Sequence, residues 1–304
     1  MDNIYLNNIN IAVLGDSISV GTTSIIPLGT TDSNADTDSS IPSEKWGNAH
    51  TSDGKSWVDY LRLYTGANVV NCSVAGSRLS HFSINYDRLN KVMQTNPDII
   101  VIFGGVNDWG QANPEKLDDY VTESDGKKIE PGHDIEISTQ TTIADEMKNH
   151  TFDWKVKHLI QDLISGYPHI TSSGYGTVPN NSTVTGSERT ERLIIFFTPL
   201  GAKGFKGWNI DTYGRNSLGY TIQDYSERIK MHCRHYAVPC VDLLEISGMT
   251  TEIPLHNLTL INKNNTYSNQ ALLTKGYFHD GLHLNNNGQK KLANIVAKKI
   301  IEFL

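Results

Sequence analysis

Residues 9–17 read INIAVLGDS, an apolar run broken only at Asn10 that stops at Gly15-Asp16-Ser17. A short run without polar alternation is the pattern of a strand buried on both faces, and the glycine after it marks a turn. Working outward, the same pattern recurs at 68–71 (NVVN), 98–103 (DIIVIF), 193–198 (LIIFFT) and, more briefly, at 238–243. Stretches of helical spacing lie between and after these runs. Trp57, Tyr60, Leu61 and Tyr64 mark one over 56–64, and Trp154, Val156, Leu159, Ile160 and Leu163 mark another over 152–164. A third covers 222–236, and a last helix over 288–303 repeats Leu292, Ile295, Val296, Ile300 and Phe303. Fully apolar strands alternating with helices predict an α/β fold with a central parallel sheet covered on both faces. Such sheets carry their sites at the carboxyl ends of the strands, where several polar motifs of this chain fall.

The 304 residues suffice for one large core. Polar insertions near 22–55, 111–149, 171–190, 201–219 and 250–275 exceed ordinary connections and read as functional loops over the rim of a site. Because the first and last core elements both carry chemical residues, the expectation is a single domain over 1–304. A formal net charge of −7 argues against a nucleic-acid partner or an anionic membrane surface, which both require concentrated positive charge. No apolar run is long enough to span a bilayer. The amino terminus lacks the basic and apolar segments of a signal peptide, which leaves cytoplasmic, virion-associated and signal-trimmed secreted locations open. Cys72, Cys233 and Cys240 are too few for a disulfide framework; buried free thiols are expected, with a Cys233–Cys240 pairing as the alternative in an oxidising compartment.

Four clusters carry chemistry. Ser17 stands at a strand-to-helix turn, where its hydroxyl can project from the top of the sheet beside unpaired backbone donors. In His279-Asp280-Gly281-Leu282-His283, a carboxylate three residues before a histidine can orient the imidazole and leave its other nitrogen to take a proton. The competing reading, His279 and His283 as metal ligands, fits poorly with a glycine-containing loop that does not align that spacing. Gly104-Gly105-Val106-Asn107-Asp108 follows the third strand, so the Asn107 amide can donate to an oxyanion; the plain alternative is an Asn-Asp turn. Gly76, after the second strand, can lend its N–H to the same anion or simply make a turn.

In order and spacing these blocks resemble the SGNH (GDSL-type) hydrolases, named for serine, glycine, asparagine and histidine in four blocks. Ser17, Gly76, Asn107 and the Asp280/His283 pair match them in turn, and Leu284 and Gly288 fit the continuation into the closing helix. Ile18 stands where the older family name has leucine. The resemblance implies a three-layer α/β/α flavodoxin-like fold and acyl-ester hydrolysis without metal or organic cofactor. It implies a Ser17–His283–Asp280 triad and an oxyanion hole from the Ser17 and Gly76 amides with the Asn107 side chain. An α/β-hydrolase is disfavoured, because no Gly-x-Ser-x-Gly elbow is present.

The substrate is less legible, since a fold and a triad do not select an ester. Trp46, Trp109, Tyr175, Trp208, Tyr213, Tyr220 and Tyr277 lie in the insertions or beside the blocks, and no long apolar lid is apparent. Carbohydrate O-deacetylation is the leading expectation, with Trp109, two residues past Asn107, lining the pocket. A short-chain carboxylesterase or lysophospholipase-type lipase is the nearest alternative. A carbohydrate- or surface-binding module, such as a phage tail component, and an O-acyltransferase are further readings. The expected partner is thus an acylated small molecule or polysaccharide.

Overall fold

The apolar runs pair in parallel into one five-stranded sheet, and the turns at their carboxyl ends converge. In this computed structural model the described residues are 6–20, 54–82, 86–118, 121–122, 128–129, 151–165, 170–171, 174–175, 192–202, 208–249, 276–278 and 281–304. The strands are β1 (Asn10–Gly15), β2 (Asn68–Asn71), β3 (Ile99–Phe103), β4 (Leu193–Phe197) and β5 (Cys240–Val241), in the order β2-β1-β3-β4-β5. Every neighbouring pair is parallel. This is the flavodoxin-like strand order, and its direction of winding reverses between β1 and β3, the crevice where such sheets bind ligands.

All five side chains of β3 are buried, as are residues 11–15 of β1. Burying each large aliphatic or aromatic side chain is worth about 1.5–3 kcal/mol, so these two central strands anchor the core. The register sets Gly15 opposite Phe103, and Phe103 opposite Phe197, so the carboxyl ends of β1, β3 and β4 lie level. That alignment brings the turns after separate strands into one neighbourhood.

The helices are α1 (Trp57–Thr65), α2 (Leu79–Phe82), α3 (Tyr86–Gln94), α4 (Val106–Gly110), α5 (Phe152–Ser165), α6 (Ile222–His235), α7 (Leu243–Ile246) and α8 (Asn286–Phe303). They fall into two groups: α1 packs on α8, while α5 packs on α2 and α6. With the sheet between them these groups make the three layers. At the start of α1, Ser56 N–H donates to Asp59 Oδ2 at 2.8 Å, which satisfies an otherwise orphaned helix donor. Asn285 caps α8, its Oδ1 accepting from the Asn287 and Gly288 N–H groups.

The long elements of the sequence reading are all present, with ends within two residues of expectation for the helices. The run at 238–243 is split, because Asp242 leaves the strand to cap α7 by accepting from Leu244 and Glu245. The sequence reading does not mark the helices α2, α3, α4 and α7, and α4 takes up the Asn107-Asp108 pair, for which a turn was the plain alternative. On α8 the buried face is Gly288, Gln289, Leu292, Ala293, Val296, Ala297 and Ile300, whereas Phe303 is exposed. All three cysteines are free thiols, Cys72 and Cys233 buried and Cys240 half-buried. Of the insertions, 22–53 and 250–275 lie outside the described residues and the others are described in part. No helix among the described residues is long and apolar enough to cross a membrane.

Candidate active site

The turn that carries Ser17 is built by contacts within five residues. Asp16 O accepts from the Ser19 and Val20 N–H groups, and Asp16 Oδ1 accepts from Ile18 N–H at 2.9 Å. Gly15 is required by close approach: a Cβ there would sit 2.4 Å from Ser19 Oγ and 2.8 Å from Ser73 Oγ. Ser17 itself is 5% exposed, at the end of β1. Its Oγ lies 2.9 Å from Nε2 of His283, a residue 266 positions later that is 1% exposed. That is the hydrogen-bond distance of a nucleophile and its base. Asp280 and His279 lie outside the described residues.

The segment after β2 is tied to the same turn. Val74 N–H donates to Gly15 O at 3.1 Å, and Ser77 N–H donates to Val74 O at 3.3 Å. Gly76 follows at φ 73°. Asn107, in the first turn of α4 and 3% exposed, donates from Nδ2 to Ser77 O at 2.8 Å. Its neighbour Asp108 accepts from Leu79 N–H at 2.7 Å, fastening α4 to α2. Ser17, Gly76 and Asn107 therefore stand on three segments stitched together at the carboxyl ends of β1, β2 and β3. Among the described residues neither the Ser17 nor the Gly76 N–H makes a hydrogen bond. Backbone donors left unused beside a buried serine hydroxyl are what an oxyanion-binding site needs.

Behind this layer lies a network absent from the sequence reading. Gln111 Nε2 donates to Gly76 O at 2.9 Å, and Arg78 Nε donates to Gln111 Oε1 at 2.8 Å. Arg78 also pairs with Glu115 at 3.2 Å, and Lys155 pairs with the other Glu115 oxygen at 2.7 Å. Burial pushes the Glu115 carboxyl up, but the Lys155 and Arg78 charges outweigh it and hold it below the usual carboxylate range. Lys155 is buried on α5 together with Asp153, His158 and Asp162, because the helix is covered on most of its circumference, and apolar periodicity alone does not mark it. Arg78, two residues after Gly76, was the one member with a positional clue.

Trp109 corrects the sequence reading. Its ring is fully buried, with Nε1–H donating to Tyr220 O at 3.2 Å and Trp208 packed edge-on at 6.1 Å between centroids. Asn216 Nδ2 donates to Trp109 O at 3.0 Å. The indole thus anchors the segment around 208–221 and offers no open face to a sugar. The physical reason is helical geometry: residues two apart on a helix point about 200° apart, so Asn107 and Trp109 face opposite ways. Trp208, Tyr220 and Tyr277 are half-buried, and Tyr213 is 81% exposed. Trp46 lies outside the described residues, as does the side chain of Tyr175. Among the described residues no group of three or more His, Cys, Asp or Glu side chains is arranged to hold a metal.

With this geometry in view, the chain matches the profile of the GDSL-like lipase/acylhydrolase family over residues 13–291. No curated protein sequence matches it. Among solved structures it is similar to a protein from Lactobacillus plantarum at 19% identity and TM-score 0.54, with 99% of this chain and 100% of that chain covered. This similarity is one of fold. It is also similar to a carbohydrate acetylesterase from Sinorhizobium meliloti at 12% identity and TM-score 0.48, covering 97% of this chain and all of that one. A likeness that distant has no bearing on substrate.

Proposed function

The chain belongs to the GDSL-like lipase/acylhydrolase family, and from that membership we propose that it is a serine esterase using Ser17 as nucleophile and His283 as base. The observation that carries this reading is the 2.9 Å hydrogen bond between Ser17 Oγ and His283 Nε2. Ser17 Oγ attacks the ester carbonyl while its proton passes to Nε2, which requires the imidazole to carry its own hydrogen on Nδ1. Asp280 is assigned the partner's role at Nδ1, where a carboxylate fixes that tautomer and stabilises the imidazolium. The negative oxygen of the tetrahedral intermediate accepts from the Ser17 and Gly76 N–H groups and from the Asn107 side chain. Collapse breaks the bond to the alkoxy group, which leaves as an alcohol with the proton from His283. Water, giving its proton to His283, then cleaves the acyl-Ser17 ester and regenerates the hydroxyl. The residues of this scheme need no cofactor.

For substrate we favour O-acetyl groups on a carbohydrate, with the whole chain acting as one catalytic unit. The support is the polar character of the insertions and aromatic residues such as the exposed Tyr213 within them. Buried Trp109 lends this no help. The test compares nitrophenyl esters of increasing chain length and acetylated polysaccharides, with Ser17→Ala as control. The expected result is a kcat/KM that favours acetyl over octanoyl esters, acetate release from a polysaccharide, and no turnover by Ser17→Ala. A preference for long chains would move the assignment to the lipases. Activity or fluorophosphonate labelling that persists in Ser17→Ala would remove Ser17 as nucleophile.

A further inference from the structure

The two reacting atoms come from opposite ends of the chain, so something must set their separation. Between the layers that carry them lies Gln289, a polar side chain 3% exposed on the otherwise apolar face of α8. Its Oε1 accepts from Trp57 N–H, at the first residue of α1, at 2.7 Å. Its Nε2 donates to Ile18 O, the carbonyl one residue past the nucleophile, at 3.2 Å. The same Trp57 donates from Nε1 to Ser19 Oγ at 3.0 Å. The nucleophile turn is therefore held on α1 through Trp57 and on α8 through Gln289.

The link from Gln289 back to His283 is short and stiff. Leu284, fully buried, bridges to Phe278, and Asn285 both caps α8 and donates from Nδ2 to Gly276 O at 2.8 Å. Asn285 N–H donates to Tyr277 O at 2.9 Å. Gly288 presses against the same carbonyl so closely that a Cβ would lie 2.3 Å from Tyr277 O. A displacement of Gln289 relative to the Ser17 turn is thus carried to His283 with little slack.

We infer that Gln289 is a positioning residue that sets the Ser17–His283 distance, through one amide whose two ends bind the nucleophile turn and α1. The inference rests on Ser17 and His283 being the catalytic pair. Gln289 does not touch the reacting atoms. Its function depends on being both donor and acceptor, which no other side chain of its length and volume offers at neutral pH. Methionine keeps the shape and loses both bonds. Glutamate keeps the acceptor for Trp57 but turns an oxygen toward Ile18 O.

The test makes Gln289→Met and Gln289→Glu, titrates active sites with a fluorophosphonate, and measures kcat per titrated site and KM with nitrophenyl acetate. Misplacement of a catalytic group by about 1 Å costs on the order of 100-fold, so kcat per site and the phosphonylation rate should fall about 10- to 100-fold in both variants. KM should change less than twofold, because no substrate contact is removed. A purely structural role lowers the melting temperature and leaves kcat per titrated site at the wild-type value, and that result overturns the inference. Gln289→Glu, which retains volume and the Trp57 acceptor, carries the test if Gln289→Met does not fold. Ser17→Ala is assayed in parallel: retained turnover there sinks the catalytic pair, whereas an inactive Ser17→Ala with normal Gln289 variants sinks the positioning role alone.

Discussion

Replacing Asn107 with alanine should produce two losses that can be measured separately. The side chain is nearly fully buried and donates to Ser77 O at 2.8 Å. An Asn amide has two N–H groups, so one holds the Gly76 segment and the second is the one proposed to donate to the oxyanion. Losing the first leaves a buried carbonyl short of a partner, at a cost of about 1–3 kcal/mol in stability. Folded domains have about 5–15 kcal/mol to draw on, so the variant should remain folded at 25 °C with a lower melting temperature. Losing the second removes a transition-state donor, which costs roughly 100- to 1000-fold in kcat, or about 2.7–4 kcal/mol, with KM nearly unchanged. Asn107→Asp should be at least as slow, because a carboxylate faces both the Ser77 carbonyl and the forming anion. The assay is calorimetry for stability, with kcat for nitrophenyl acetate per fluorophosphonate-titrated site. If Asn107→Ala is destabilised yet turns over at the wild-type rate per site, the residue belongs to the scaffold and the oxyanion assignment is wrong.

Two further outcomes test the surrounding structure. Gly15→Ala places a methyl group against Ser19 Oγ and Ser73 Oγ, and overpacking of this kind costs about 1–3 kcal/mol; because relief must come from the nucleophile turn, fluorophosphonate labelling should slow as well, and unchanged labelling with an unchanged melting temperature would refute the steric argument. Glu115, whose carboxyl in the folded protein is held below its ordinary value of 4.5, binds its proton more readily in the unfolded chain. Its contribution is therefore complete above about pH 4.5 and lost as pH falls through the lower, folded value. Glu115→Gln leaves Lys155 and Arg78 buried without their counter-charge, so it should cost about 3–5 kcal/mol at pH 7 and flatten the acid limb of the melting-temperature profile. A variant whose acid limb parallels the wild type would show that other carboxylates govern that limb.

The central sheet and the places of the chemical residues along the chain were legible locally. A buried parallel strand needs nothing from its sequence but a short apolar run, and a turn at its carboxyl end needs a small or polar residue. Both are read within about a dozen residues, as at 9–17 and 98–108. The order of the Ser17, Gly76, Asn107 and His283 blocks was equally a property of the chain alone. What tertiary structure decided was every relation across layers. The contact between Ser17 and His283 spans 266 positions, and it forms where α8, packed on α1, meets the carboxyl end of β1. Trp109 reads as a pocket aromatic by its nearness to Asn107, but the rotation of α4 turns it inward onto Trp208 and Tyr220. Gln289 occupies the apolar face of α8 and Lys155 a polar side of α5 that the fold covers, and in neither place does local periodicity name a partner. Their hydrogen bonds to Glu115, Trp57 and Ile18 arise because burial leaves a polar group no water to bind, so the fold must bring a partner from elsewhere in the chain.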